Sequence, residues 1–326
     1  MNKVLVIQTS FIGDVILSTA LLEQLYRSNR FEAIDILVRK GNESLFKDHP
    51  FINEVIVWDK KNKKIKNLLL LIAQVRKNKY AVLINLQRFL STGLISLFSK
   101  ARTKVGYDKN PLSLFYQHKA KHIIGDGTHE TQRNAKLTDF LNIPHQYKPK
   151  LYTSNAVEQK VHRLVGDIKN KKYCCIAPAS VWFTKQLPFE KWIELCEHIQ
   201  PRFEVIYILG SSDDYPLCER IAERCKHAQN LSGKLNLLES AYLMSKARMN
   251  YVNDSAPLHL ASAVNAPVTA FFCSTVPQFG FGPLSDESVV VESDPYPACK
   301  PCGLHGLNHC PEKHFSCGNG INITAL

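Results

Sequence analysis

The chain has 326 residues, 45% of them hydrophobic, and 41 Lys or Arg against 29 Asp or Glu, which is length for two α/β domains and the composition of an ordinary globular protein. No stretch nears the roughly 20 apolar residues of a membrane helix. The N-terminal apolar run ends at Gln8, too soon for a signal peptide, so a cytoplasmic protein is expected.

The formal charge of +12 is local. Between Lys60 and Tyr107 stand twelve Lys or Arg and no Asp or Glu, so this block carries the whole excess. A single-sign block suits a polyanion, whether nucleic acid, anionic membrane or phosphorylated glycolipid. A solvated Lys-rich face is the plainer reading.

Val4, Leu5, Val6 and Ile7 form the continuous apolar run of a strand buried on both faces. Gln8 to Gly13 turn the chain, and Val15, Ile16, Thr19, Leu22 and Leu25 recur at helical spacing. Asp14 therefore falls at a helix N-terminus and at a strand's C-terminal end, where open α/β sheets bind ligands. It is a candidate reacting group, and a plain N-cap is the competing reading. AIDILVR at 33–39, EVIVWD at 54–59 and AVLINL at 81–86 read as further strands, with helices at 65–77 and 90–99. The alternation predicts a parallel, doubly wound sheet. Ser10, Asp14, Asn85, Gln87 and Arg88 would share one rim of it. Residues 129–141 read as a closing helix, and 142–152 as a linker bearing Pro and Lys.

The same rhythm restarts at 153. YCCIAPAS at 173–180 predicts a strand and turn, PFEKWIELCEHI at 188–199 a helix, and EVIYILG at 204–210 a strand. Helices near 214–227 and 237–247 follow, then the strand MNYVND, the helix APLHLASAVN and the strand VTAFFC. Two successive α/β domains, 1–152 and 153–326, imply an interdomain cleft as the default ligand site. In NDSAPLHL, at 253–260, an Asp and a Ser again end a strand, with Pro257 suited to a helix's first turn. Its amides, with Ser255, would hold a phosphate, against the reading of a cap with His259 packed inside. PASVWFTKQL at 178–187 offers Ser180, Thr184 and Lys185, and LGSSDD at 209–214 offers Gly210 and two carboxylates for a ribose hydroxyl. Neither a G-x-G-x-x-G fingerprint nor a P-loop occurs.

Taken in order, VLVIQTSFIGDVILSTALLEQL, INLQRFLSTGLISLFSKARTKVGYD, PASVWFTKQLPFEKW, GKLNLLESAYLMSKARMNYVNDSAPLHLASAVNAPVTAFF and CKPCGLHGLNHCPEKHFSC resemble the ADP-heptose:lipopolysaccharide heptosyltransferases of glycosyltransferase family 9. The Cys-rich tail, about 298–326, is most similar to the heptosyltransferase II branch. The resemblance implies a GT-B architecture, two facing Rossmann-like domains with the acceptor on the first and the nucleotide sugar on the second. It places the catalytic base on Asp14 and the diphosphate-binding Lys on Lys185. The nucleotide segment falls on Asp254, Ser255, Ala256, Leu258 and His259. Ala256 stands where the family usually has Gly, and a methyl there narrows the approach of a phosphate and disfavours positive φ.

Inverting glycosyl transfer needs a base for the acceptor hydroxyl and preorganised charge for the leaving diphosphate. Asp14 suits the first, and Lys185 with the amides at Ser255 the second. No Asp-x-Asp metal motif is present, Glu292 and Asp294 being its nearest imitation, and neither cofactor nor metal is expected. The acceptor, an anionic lipopolysaccharide core, is expected on Ser10, Gly13, Gln87, Arg88, Lys60, Lys61, Lys63 and Lys64, with transient contact to an anionic membrane at the inner face of the inner membrane. A relative using another nucleotide sugar or acceptor is the alternative. Nucleic-acid binding would explain the basic block but not the paired domains or NDSAPLHL. Of ten Cys, six fall in predicted core elements. Cys299, Cys302, Cys310 and Cys317 have spacing compatible with zinc, and disulfides are disfavoured by the compartment.

Overall fold

Runs of Val, Ile and Leu buried on both faces make the strands, and of the helices between them some, such as Asn155–Val165, bury a single stripe while others, such as Ile12–Arg27 and Ala256–Ala263, are buried nearly all round. The computed structural model describes residues 2–326, which form two compact units that divide between Tyr152 and Thr153.

In the first unit β1 (Lys3–Gln8) leads through α1 (Ile12–Arg27) to β2 (Ala33–Arg39) and then β3 (Ile52–Trp58). The chain crosses back by α2 (Lys64–Lys77) to β4 (Val82–Asn85), and continues through α3 (Leu90–Phe98), β5 (Thr103–Tyr107), β6 (His118–Ala120) and α4 (Glu130–Ala135). The sheet is parallel throughout, in the order β3-β2-β1-β4-β5-β6, so the winding reverses between β1 and β4. Right-handed crossovers put α2 and α3 on one face and α1 on the other. Leu71 and Val75 of α2 and Ile95 of α3 close a core over Leu5, Ile7, Trp58 and Leu83.

The second unit opens with α5 (Asn155–Val165) and β7 (Tyr173–Ala177), then runs α6 (Phe189–Ile199), β8 (Val205–Ile208), α7 (Tyr215–Arg224) and β9 (Ala228–Asn230). It returns through α8 (Leu237–Lys246) to β10 (Met249–Asn253), α9 (Ala256–Ala263), β11 (Val268–Phe271) and β12 (Ser288–Val291). Its parallel order, β12-β11-β10-β7-β8-β9, reverses between β7 and β10. The Cys-rich tail is almost without regular structure but is tied in. Cys317, Ile321 and Ile323 are buried in the same core as Trp192, Ile206 and Phe271, each aliphatic side chain contributing about 1.5–3 kcal/mol.

Several elements differ from the sequence reading. β5 contains Gly106, which reads as a turn residue, yet its place is dictated by packing: a Cβ there would lie 2.5 Å from the Tyr116 ring and 3.1 Å from the Asn85 carbonyl. β6 and β9 are short edge strands with little apolar signature, β12 is an edge strand only partly buried despite its three Val, and α5 has a narrow stripe of Val157, Val161 and Val165. The expected helix at 129–141 is α-helical only to Ala135 and continues as a 3-10 turn over Lys136–Leu141. The helix expected near 214–227 is α-helical over Tyr215–Arg224 and is entered through a 3-10 turn, Ser212–Asp214, that Ser211 and Asp214 close with a capping box.

Candidate active site

The two switch points, where ligands bind in doubly wound sheets, gather Lys185, Asp254 and Ser255 in the second unit and Ser10, Asp14 and Gln87 in the first. In the second unit the loop after β7 brings Lys185 to the end of β10, where its ammonium lies 2.6 Å from the Asp254 carboxylate. Thr275 Oγ1, after β11, donates to the same carboxylate at 2.6 Å. Asn253, fully buried, ties the loop to β10 by donating to the Pro178 carbonyl at 2.8 Å and accepting the Leu187 amide at 2.9 Å. Ser255 is the N-cap position of α9, with Pro in the first turn, so the helix amides open beside the Lys185–Asp254 pair. Ala256 is an ordinary helical residue and is not among the positive-φ positions. The expected backbone penalty of Ala for Gly therefore does not arise.

The Cys-rich tail braces this loop. The Thr184 amide donates to the Leu307 carbonyl at 3.1 Å, and the Leu307 amide donates back to Thr184 Oγ1 at 2.8 Å. Ser274 Oγ adds a bond to the same hydroxyl at 2.9 Å. Gly306 is pressed so closely on the loop that a Cβ would stand 2.3 Å from Trp182 Cβ and 2.9 Å from Lys185 Cγ.

In the first unit, Asp14 is the third residue of α1, and Phe11 occupies the N-cap position without a side-chain cap bond. Asp14 is thus not the N-cap. Its carboxylate accepts Ser10 Oγ at 2.7 Å. Gln8 reaches the Asp14 carbonyl at 3.5 Å and accepts the Ser10 amide at 3.3 Å, while Gln87 donates to Gln8 across the switch point from β4 to β1. Behind this rim, buried Glu130 pairs with Arg133 at 2.9 Å. Burial pushes the Glu130 carboxyl up to about 7, against the pull of Arg133 and with a further push from the Asp14 charge.

A model of glycosyltransferase family 9 (heptosyltransferase) matches residues 68–304. The chain belongs to that family. Lipopolysaccharide heptosyltransferase 1 of Campylobacter coli is 27% identical over 290 residues, 84% of each chain. Among solved structures, a family 9 glycosyltransferase of Veillonella parvula superposes with a TM-score of 0.80 at 19% identity, covering 89% of this chain and 85% of that one. Escherichia coli ADP-heptose lps heptosyltransferase II gives 0.75 at 20% identity, covering 89% and 90%. The fold of this glycosyltransferase is accordingly GT-B.

Not every predicted residue faces a site. In the glycosyltransferase Thr184 is 1% exposed, with its hydroxyl spent on the tail, so it shapes the loop. Ser180 turns the same loop, its carbonyl accepting Gln186 Nε2 at 2.7 Å. Asp214, read as a ribose partner, accepts the Ser211 amide and hydroxyl at 2.7 Å. Gly210 lets α7 pack close, since a Cβ would lie 3.0 Å from Asp214 Cβ. The Leu258 side chain is core, and His259 is buried against the Phe281 ring. Gly13 lies in the first turn of α1. Arg88, Lys61, Lys63 and Lys64 are exposed. Lys60 instead turns inward to Thr9, donating to its carbonyl at 2.8 Å and its hydroxyl at 2.9 Å, and desolvation lowers it to about 8.

Sequence reasoning missed Asn253, Thr275 and the Glu130–Arg133 pair. Only Asn253 carried a signal, as the polar last residue of a buried strand. Glu292 is no metal ligand substitute here, since it neutralises buried Lys300 at 2.7 Å. All ten Cys are unbridged. Among the described residues no three His, Cys, Asp or Glu are grouped to hold a metal ion.

Proposed function

We propose that this glycosyltransferase moves a heptose from ADP-heptose to the inner core of lipopolysaccharide, with inversion at the sugar. The observation that carries the reading is the Lys185–Asp254 pair beside the open amides of α9 at a switch point, within a chain whose family is that of heptosyltransferases. Lys185 exchanges part of its pairing with Asp254 for the donor diphosphate, and the α9 amides take the remaining phosphate charge. Asp14 accepts the proton of the acceptor hydroxyl, with Ser10 fixing which carboxylate oxygen is turned away from the reaction. The displaced diphosphate leaves as ADP.

The acceptor is read as the anionic core oligosaccharide, bound at the first unit's rim by Arg88 and the lysines following β3. We assign the protein to the cytoplasmic side of the inner membrane, as a peripheral protein in transient contact with anionic lipid. No helix among the described residues is long and apolar enough to cross a membrane, in keeping with attachment from one side. The test is transfer of label from ADP-heptose to a delipidated core acceptor, alongside melting-temperature shifts across a panel of nucleotide sugars. Stabilisation by ADP and ADP-heptose with label transfer is expected. A shift and transfer confined to a different nucleotide sugar would overturn the donor assignment.

A further inference from the structure

The first unit exposes large apolar side chains that neither its core nor its chemistry employs. Along α2, Leu68, Leu71, Ile72 and Val75 turn toward the sheet. Ile65, Leu69 and Leu70 are left 75%, 62% and 60% exposed. On α3, Leu90 and Phe98 are 53% and 47% exposed, and on the 3-10 turn Ser113–Phe115 Leu114 is 84% exposed.

These side chains share one side of the unit. Arg76 Nη1, on α2, donates to the Phe98 carbonyl at 3.1 Å, joining the C-terminal ends of α2 and α3. Both helices lead back from the switch-point rim in the same direction, so Ile65 and Leu90 stand at their rim ends. Asn110 donates to the Gln87 and Phe89 carbonyls at 3.0 and 3.1 Å, and Gly93 leaves room for Leu112 against α3. The segment carrying Leu114 therefore continues the surface beyond α3.

The charge around this surface is mainly positive, its acidic members being Asp59, which accepts the Lys61 and Asn62 amides at 3.0 and 3.1 Å, and Glu54, which accepts Gln74 Nε2 of α2 at 3.0 Å. Lys61, Lys63, Lys64 and Lys66 are exposed at the start of α2, and Arg76 and Lys77 at its end. No acidic residue lies in the first turn of α2, and the lysines beside its positive dipole end outnumber the single carboxylate of Asp59, an arrangement that becomes favourable opposite fixed anions. We propose that the α2–α3 face docks on an anionic bilayer, the aliphatic side chains entering the headgroup boundary and the lysines meeting lipid phosphates. A second copy of the chain would set like-charged faces together. A single-stranded nucleic acid could stack on the exposed rings of Phe89, Phe98 and Phe115 but would leave Ile65, Leu69 and Leu70 without partners, and a bilayer takes both kinds of side chain.

The inference rests on the peripheral location proposed above and specifies the surface responsible. Its test uses the full chain with sedimenting vesicles of phosphatidylethanolamine and phosphatidylglycerol, or of phosphatidylcholine alone. Wild-type protein is expected to sediment with the anionic vesicles only, and Ile65→Ser/Leu69→Ser/Leu90→Ser to do so at least ~10-fold more weakly. The triple variant should keep the wild-type melting temperature and full transfer to a delipidated acceptor, but lose transfer to acceptor embedded in vesicles. Equal sedimentation of both proteins, equal binding to neutral vesicles, or conversion of a wild-type dimer to monomer without change in vesicle binding would each overturn the assignment. Failure of the function itself reads out separately, as absent transfer to the delipidated acceptor.

Discussion

The two switch points are built on the same topology and solve opposite problems. In the second unit the cation and carboxylate are already in contact, Lys185 on Asp254 at 2.6 Å with Thr275 on the same oxygen, and both are largely buried. In the first unit the Asp14 carboxylate accepts the Ser10 hydroxyl at 2.7 Å, between half-exposed residues, and the lysines that follow β3 are mostly in solvent. A pyrophosphate of fixed shape rewards preorganisation, because contacts held in place cost little to align at reaction. A long, branched, anionic glycolipid rewards a diffuse field acting through water.

This contrast is broken most sharply at Asp14. Asp14→Asn should lower turnover by at least ~100-fold, the scale of a lost general base, while ADP affinity measured by calorimetry stays near wild type. Surviving turnover would reduce Asp14 to a partner of Ser10. Lys185→Ala should act on both binding and rate, raising the donor KM and lowering kcat. It should also cost about 3 kcal/mol of stability by leaving Asp254 as a buried unpaired charge, read from denaturant midpoints. Unchanged donor kinetics would remove Lys185 from the site.

Gly306→Ala should raise the donor KM several-fold and leave the acceptor KM alone, since the new methyl can be housed only by moving Trp182 and Lys185. Equal effects on both substrates would mean that the tail does not specifically set the loop. Glu130 offers a readout by pH. Its folded pKa, about 7, lies above the ordinary glutamate value of 4.5, so the stability it contributes is present below about 4.5 and lost as pH rises through 7. Melting curves of Glu130→Gln should show less decline than wild type between pH 5 and 8, and parallel curves would refute the burial argument.

The smallest effect is expected from the exposed lysines. Lys61, Lys63, Lys64 and Lys66 changed together to Ser should raise the acceptor KM modestly and flatten its salt dependence, since screening acts over about 8 Å at physiological ionic strength. Lys60 is left out because its ammonium is committed to Thr9. An unchanged acceptor KM at low salt would make the lysines a solvated face.

Much of this molecule was written locally. Buried strands announced themselves as apolar runs, the helices between them by helical spacing, and their alternation determined two doubly wound sheets. The same pattern put Asp14, Asp254 and Ser255 at strand ends, because a strand's last residues are read from where its apolar run stops, and Lys185 on the crossover loop after β7. Edge strands such as β6 and β9 were not legible, since a strand paired on one side needs no apolar pattern, and Gly106 hid β5.

Partnership was decided only by the tertiary structure. Lys185 and Asp254 are 69 residues apart in sequence, and Thr184 meets Leu307 across 123. Nothing in either segment tells a binding hydroxyl from one consumed by the tail, or Lys60 folded onto Thr9 from Lys61 in solvent. Periodicity reports which way a side chain points from its own backbone. What it then touches depends on strand order and register, and those exist only once the sheets have formed.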